Sequence, residues 1–172
     1  GAAVWEIPEG RKVAEIPGGA GKFAAFEPDG KTLVTWGPGG LRSWRIADGK
    51  PAEPDPWAAL AEGGGLDGRG AGLSGASRDA RRLALLSQTI PPAIFVVDRE
   101  GGRQPRRIEG TPGLAFVSLD PAGRRIAGGT FHGSGVRIWD ADTGAVLRDL
   151  PIGGSASLAF SPDGDALAVA SG

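Results

Sequence analysis

Leu158-Ala-Phe-Ser-Pro-Asp-Gly164, followed by Ala166-Leu-Ala-Val-Ala170, is the stretch whose reading decides the fold. Two short apolar runs flank a Pro-Asp-Gly turn. In that turn Pro presets φ, Asp hydrogen-bonds locally and Gly accepts positive φ. The pattern therefore reads as strand, tight turn, strand, and it recurs upstream. Phe23-Ala-Ala-Phe-Glu-Pro-Asp-Gly30 runs into Thr32-Leu-Val-Thr-Trp36, and Phe116-Val-Ser-Leu-Asp-Pro-Ala-Gly123 runs into Arg125-Ile-Ala-Gly128. A degraded copy, Leu73-Ser-Gly-Ala-Ser-Arg-Asp79, precedes Leu83-Ala-Leu-Leu86.

A second block follows each first one: Leu41-Arg-Ser-Trp-Arg-Ile-Ala-Asp-Gly49, Ile94-Phe-Val-Val-Asp-Arg-Glu-Gly101 and Val136-Arg-Ile-Trp-Asp-Ala-Asp-Thr-Gly144. Its fourth copy opens the chain as Ala3-Val-Trp-Glu-Ile-Pro-Glu-Gly10. Short strands then follow at Val13-Ala-Glu-Ile16, Pro105-Arg-Arg-Ile108 and Val146-Leu-Arg-Asp-Leu150. The turn positions Gly30, Ala80, Gly123 and Gly164 are spaced 50, 43 and 41 residues apart. The positions Trp5, Trp44, Val97 and Trp139 are spaced 39, 53 and 42. A period near 40 with four strands per unit predicts an all-β fold of propeller blades.

The residues also carry a resemblance. Phe160-Ser-Pro-Asp-Gly164, Leu167-Ala-Val-Ala-Ser-Gly172, Val136-Arg-Ile-Trp-Asp140 and Asp142-Thr-Gly144 resemble the blades of WD-repeat β-propellers over nearly the whole chain. There are departures. Only Trp139-Asp140 is a Trp-Asp pair, against Trp5-Glu6, Trp44-Arg45 and Val97-Asp98, and no Gly-His pair opens a unit. The His-Asp-Ser/Thr-Trp hydrogen-bond network of typical members therefore cannot form. Packing and strand ladders must hold each blade instead. The resemblance implies a divergent relative of bacterial type, and an excess of Arg over Lys, 15 to 4, fits a high-GC gene.

The units map as one propeller domain over 1–172: a half-blade at 2–17, blades at about 21–60, 71–110 and 113–152, and a half-blade at 155–171. The first segment supplies two outer strands and the last supplies two inner ones. From Gly164 through Gly172 and on to Trp5 is 13 positions; the same interval inside the chain is 14, 17 and 16. The halves complete one blade within a chain, giving a four-bladed ring, or between two chains, giving an eight-bladed ring. WD-type blades usually sit six to eight around a ring, so the expectation is a homodimer. A fragment of a longer protein, or an engineered half-propeller, is the other reading; the opening Gly1-Ala-Ala-Val-Trp5 has no features of a signal peptide.

Composition narrows the function classes. Of 172 residues 31 are Gly and 14 Pro, which suits many turns and disfavours long helices. Nineteen Lys and Arg balance 20 Asp and Glu, so no broad charged field points to nucleic acid. No apolar run approaches the ~20 residues of a membrane span. The absence of Cys removes disulfides and thiolate chemistry, and a single His excludes multi-His metal sites within a chain. The localisation expected by default is cytoplasmic.

Single motifs are weak. Gly63, Gly65 and Gly68 match G-x-G-x-x-G but lie in the insertion 50–70 with no following helix, so they read as a loop. Gly21-Lys22 lacks the upstream glycine of a phosphate loop. Arg103, Arg106 and Arg107 read as a charged strand edge that discourages pairing. Asp29, Asp79 and Asp163 read as turn chemistry. His132, beside Phe131, has no nucleophile elbow near it. No catalytic, cofactor or metal residue is assigned. Trp57 and Arg69 in the insertion, with Phe131 and His132 in a loop, are the candidates for partner contact; Trp57 also suits packing on its own blade. The expected function is a non-catalytic scaffold binding a protein or peptide across the ring face, or assembling with itself. The alternative is a propeller hydrolase or lyase with a central-channel carboxylate or His132. A channel of small apolar side chains favours the scaffold, and convergent polar groups favour the enzyme.

Overall fold

A computed structural model describes residues 1–17, 21, 23–37, 40–55, 57, 74–99, 104–130, 135–153 and 155–171. The protein is all-β, with fifteen strands paired antiparallel among these residues. Backbone contacts divide it into two units, Gly1–Ala71 and Gly72–Gly172.

In the first unit, β1 (Ala2–Glu6) pairs with β2 (Arg11–Ile16). A separate sheet runs in chain order through β3 (Phe23–Phe26), β4 (Thr32–Gly37) and β5 (Gly40–Arg45). Where a fourth strand is expected, Pro51 makes one bridge to Trp44. The second unit holds three sheets. One contains β6 (Gly75–Ala76), β7 (Arg82–Ser87), β8 (Ala93–Asp98) and β9 (Arg106–Glu109). The next contains β10 (Leu114–Leu119), β11 (Arg125–Thr130), β12 (Val136–Asp140) and β13 (Val146–Leu150). The last pairs β14 (Ser155–Phe160) with β15 (Leu167–Ser171).

The repeat read from the sequence is also a repeat of register. The residue three past each turn pairs with the Trp or Val position: Leu33 with Trp44, Leu83 with Val97, Ile126 with Trp139. Irregularities recur too. The ladder shifts at Val4/Trp5 and again at Ile138/Trp139, and at Leu114/Phe116 and again at Ser155/Ser157. Each pair occupies one repeat position, so these bulges belong to the unit.

The turns work as their residues require. Asp29 Oδ1 accepts the Lys31 and Thr32 amides at 2.8 and 2.9 Å, and Gly30 N–H donates to the Glu27 carbonyl at 2.9 Å with φ at 63°. Ala122 has no carboxylate to offer, and Asp120, two residues earlier, replaces it by accepting the Arg124 amide at 2.6 Å. The degraded copy keeps the turn, but Ala80 sits at φ 52° where the others have glycine. An L side chain costs about 1–2 kcal/mol there, against the extra chain entropy of glycine. Ala80→Gly is expected to raise stability by about 0.5–1 kcal/mol. A urea midpoint that falls would contradict this account of the turn.

Stacking in the second unit follows chain order. β10 packs against β6 and β7, and β14 packs against β10 and β11. Ala84, Leu86, Ile94, Val96 and Ile108 of one sheet meet Leu114, Val117, Leu119, Ile126, Trp139 and Ala141, mainly of the next, in one buried cluster. The first unit has a smaller cluster: Val4, Ala14 and Ile16 against Leu33 and Trp44, with Ala2 and Ile46 at its border.

Two packing features depart from the repeat. Trp5, Trp44 and Trp139 hold equivalent positions, yet Trp5 is 57% exposed while Trp44 is 9% and Trp139 1%. Trp44 lies beside β4, where Thr35 accepts its indole N–H at 2.8 Å. Trp5 belongs to a two-stranded sheet that lacks the corresponding strand. Phe26 is likewise 53% exposed, although Leu119, its repeat counterpart, and Phe116 are buried.

Candidate functional site

Trp57 is fully buried in the first unit, and its indole N–H donates to the buried Glu27 carboxylate. The side chain packs into its own unit rather than facing a partner. Arg69, Phe131 and His132 lie outside the described residues. So do Arg103 and the glycines at 63, 65 and 68. Arg106 and Arg107 are exposed on β9, the outer strand of its sheet, as a charged edge requires.

Clefts open among the described residues of the second unit, two of them over apolar side chains. One, of about 430 Å³, lies between the loop carrying Thr89, Ile90, Pro91 and Pro92 and the segment from Pro112 to Ala115. Ile90 is fully exposed there. The other cleft, about 370 Å³, crosses three successive first strands and is lined by Ala76, Ser118, Leu119, Leu158, Ala159 and Phe160, with Arg78 and Pro121 at its end. Small and apolar side chains share its lining with Ser118 and the charged Arg78.

Sequence reading missed two arginines. Arg82 Nη1 donates to the Gly123 carbonyl at 2.6 Å and Nη2 to Asp142 at 2.7 Å. Arg125 Nη2 donates to the Gly164 carbonyl at 2.7 Å while its Nε bonds the buried Asp120 at 3.0 Å. Each reaches from one turn to the turn of the next sheet, so the contact repeats with the unit. The available signal was Arg two residues after the turn in consecutive units, at Ala80-Arg81-Arg82 and Gly123-Arg124-Arg125.

The acidic residues are used by the backbone. The Thr143 amide and hydroxyl, with the Asp142 amide, hold the Asp140 carboxyl below its ordinary range. The Ser161 hydroxyl and Asp165 amide do the same for Asp163. At Asp79 burial pushes the carboxyl up, but bonds from Ser77 and Arg81 outweigh it and the net direction is down. A carboxyl held ionised by amides is poorly suited to donate a proton near neutral pH. Among the described residues no three acidic or histidine side chains gather as metal ligands, and no helix is long and apolar enough to cross a membrane.

The most informative surfaces are sheet faces. Val4, Ile16, Ala2, Leu33, Trp44 and Ile46 in the small cluster correspond to Val96, Ile108, Ile94, Ile126, Trp139 and Ala141 in the large one. The large cluster also holds Ala84 and Leu86, four and six residues past their turn, and Val117 and Leu119, six and four before theirs. Their counterparts are exposed. They are Ala168 and Ala170 on β15, and Ala24 and Phe26 on β3.

No protein-family model matches the chain, and no curated protein matches it.

Proposed function

We propose that the protein is a non-catalytic β-propeller scaffold of WD-like blades, whose work is protein–protein contact, including assembly with itself into a closed ring. The observation that carries the reading is the ordered stack of the second unit. Sheets follow one another in chain order with their first strands adjacent, and an arginine ties each turn to the next. That is how blades succeed one another around an axis. The carboxylates of Asp140 and Asp163, held ionised by bonds within their own turns, favour a scaffold over a channel enzyme. The loop-end cleft beside Ile90 supplies apolar surface for a protein or peptide.

A ring made of two chains has closed two-fold symmetry and two identical seams. Light scattering at low micromolar concentration is expected to report about 35 kDa, twice 17.4 kDa, and negative-stain images a closed ring. A stable particle of 17.4 kDa would overturn the two-chain ring.

A further inference from the structure

We infer that β15 of one chain adds to β1 of a second chain in a single register, with Leu167 opposite Trp5, Ala168 opposite Val4, Val169 opposite Ala3 and Ala170 opposite Ala2. The inference rests on the ring reading above and names its seam. The register follows from the repeat: in three sheets the residue three past the turn pairs with the Trp or Val position. Leu167 is three past Gly164, and Trp5 holds the Trp position.

Three observations point to this seam, and the ring reading above makes its occupant a second copy. The first is what the faces lack. Beside β1–β2, the small cluster lacks counterparts of Ala84 and Leu86, and Ala168 and Ala170 are those counterparts. Once β15 lies beside β1, the two alanines fall over Ala24 and Phe26, where Ala84 and Leu86 meet Val117 and Leu119. The second is that Ala24, Phe26, Ala168 and Ala170 are exposed, and β1 and β15 each have a single partner strand. The third is edge chemistry. The outer strands carry charge, with Arg11, Lys12 and Glu15 on β2, Arg106 and Arg107 on β9, and Arg148 and Asp149 on β13. From Ala2 to Trp5 and from Leu167 to Ala170 there is none. Charge is how an edge is kept from pairing, and the two stretches that would pair are without it.

The chain contains no Cys, so an engineered pair reports the seam without background. The amides of Ile46, Arg99 and Ala141 donate to the carbonyls of Lys31, Arg81 and Arg124, which sets the alternation of wide and narrow pairs at every equivalent junction. It makes Ala2 and Ala170 a narrow, non-hydrogen-bonded pair about 4.5 Å apart at Cα, within disulfide range. Ala2→Cys with Ala170→Cys is therefore expected to convert most of the chain, under mild oxidation, to a species near twice 17.4 kDa that reductant reverses. Ala3→Cys with Ala170→Cys places the thiols on opposite faces and should cross-link at least tenfold less. A doubled mass by light scattering without the disulfide would overturn this seam and leave the ring. Loss of both thiols in a 17.4 kDa species would mean the chain closes on itself, overturning the second copy. A ladder of larger species would overturn closure by two chains.

Discussion

Trp139→Ala is expected to cost about 3–5 kcal/mol of stability, the range for removing a fully enclosed aromatic. Trp139 is 1% exposed and sits in the cluster between two stacked sheets of the second unit. Its indole lies directly over Gly128: a Cβ there would stand 2.7 Å from Trp139 Cζ3 and 2.7 Å from Leu114 Cδ1. The site is framed by backbone on one side and by Leu119 and Ile126 on another, so collapse into the space is limited. Urea denaturation monitored by circular dichroism measures the loss. Trp5→Ala is the internal comparison, because Trp5 is 57% exposed. In the dissociated chain it should cost about 1 kcal/mol, since little area is given back to water. Equal losses at the two positions would show that the structure has their packing wrong.

Gly49→Ala is expected to cost about 2–4 kcal/mol, and Gly10→Ala only about 1 kcal/mol. Both glycines follow the Trp position by five residues, and both have φ at 66°. The left-handed backbone therefore penalises an alanine equally at each. The difference is what the methyl meets. At Gly10 nothing lies within 4 Å, whereas at Gly49 the Glu15 carbonyl oxygen of β2 is 2.4 Å away. That oxygen is main chain in a paired strand, so relief requires moving β2 away from the turn. The counterpart Gly144 faces the side chain of Ile108 at 3.3 Å, on the fourth strand of the preceding sheet. The glycine is thus a close-approach residue between neighbouring sheets as well as a turn residue. Denaturation of the two variants side by side separates the contributions. If Gly49→Ala costs no more than Gly10→Ala, the close approach is not present in solution.

Much of the fold was legible because local rules agree with one another. Pro-Asp-Gly sets a turn through its own φ preferences and its own hydrogen bonds, and alternating apolar residues around it set two strands. Even a damaged copy, Ser77-Arg78-Asp79-Ala80, still forms the turn, because Asp79 accepts the Ser77 hydroxyl at 2.7 Å and the Arg81 amide at 3.2 Å. Period and register then followed from repetition. Less of the candidate site was legible. Trp57 offered a large aromatic in an insertion, and nothing local showed that Glu27, thirty residues away, would hold it inside. Arg82 and Arg125 looked like ordinary charges after a turn. Their acceptors, the carbonyls of Gly123 and Gly164, are brought to them by stacking alone.

The same division explains the tryptophans and phenylalanines. By itself the sequence determined which residues are equivalent: Trp5 with Trp44 and Trp139, Phe26 with Leu119, Ala170 with Leu86. Equivalence is a property of spacing, and spacing is written in the chain. Burial is different, because a side chain is buried by what lies across from it. Only the tertiary structure decided that Trp139 is enclosed by Gly128 of the neighbouring strand and by the preceding sheet, while Trp5 and Phe26 face water. The physical reason is that a β-strand specifies its own pleat and its turn, but a sheet face is covered only by another sheet.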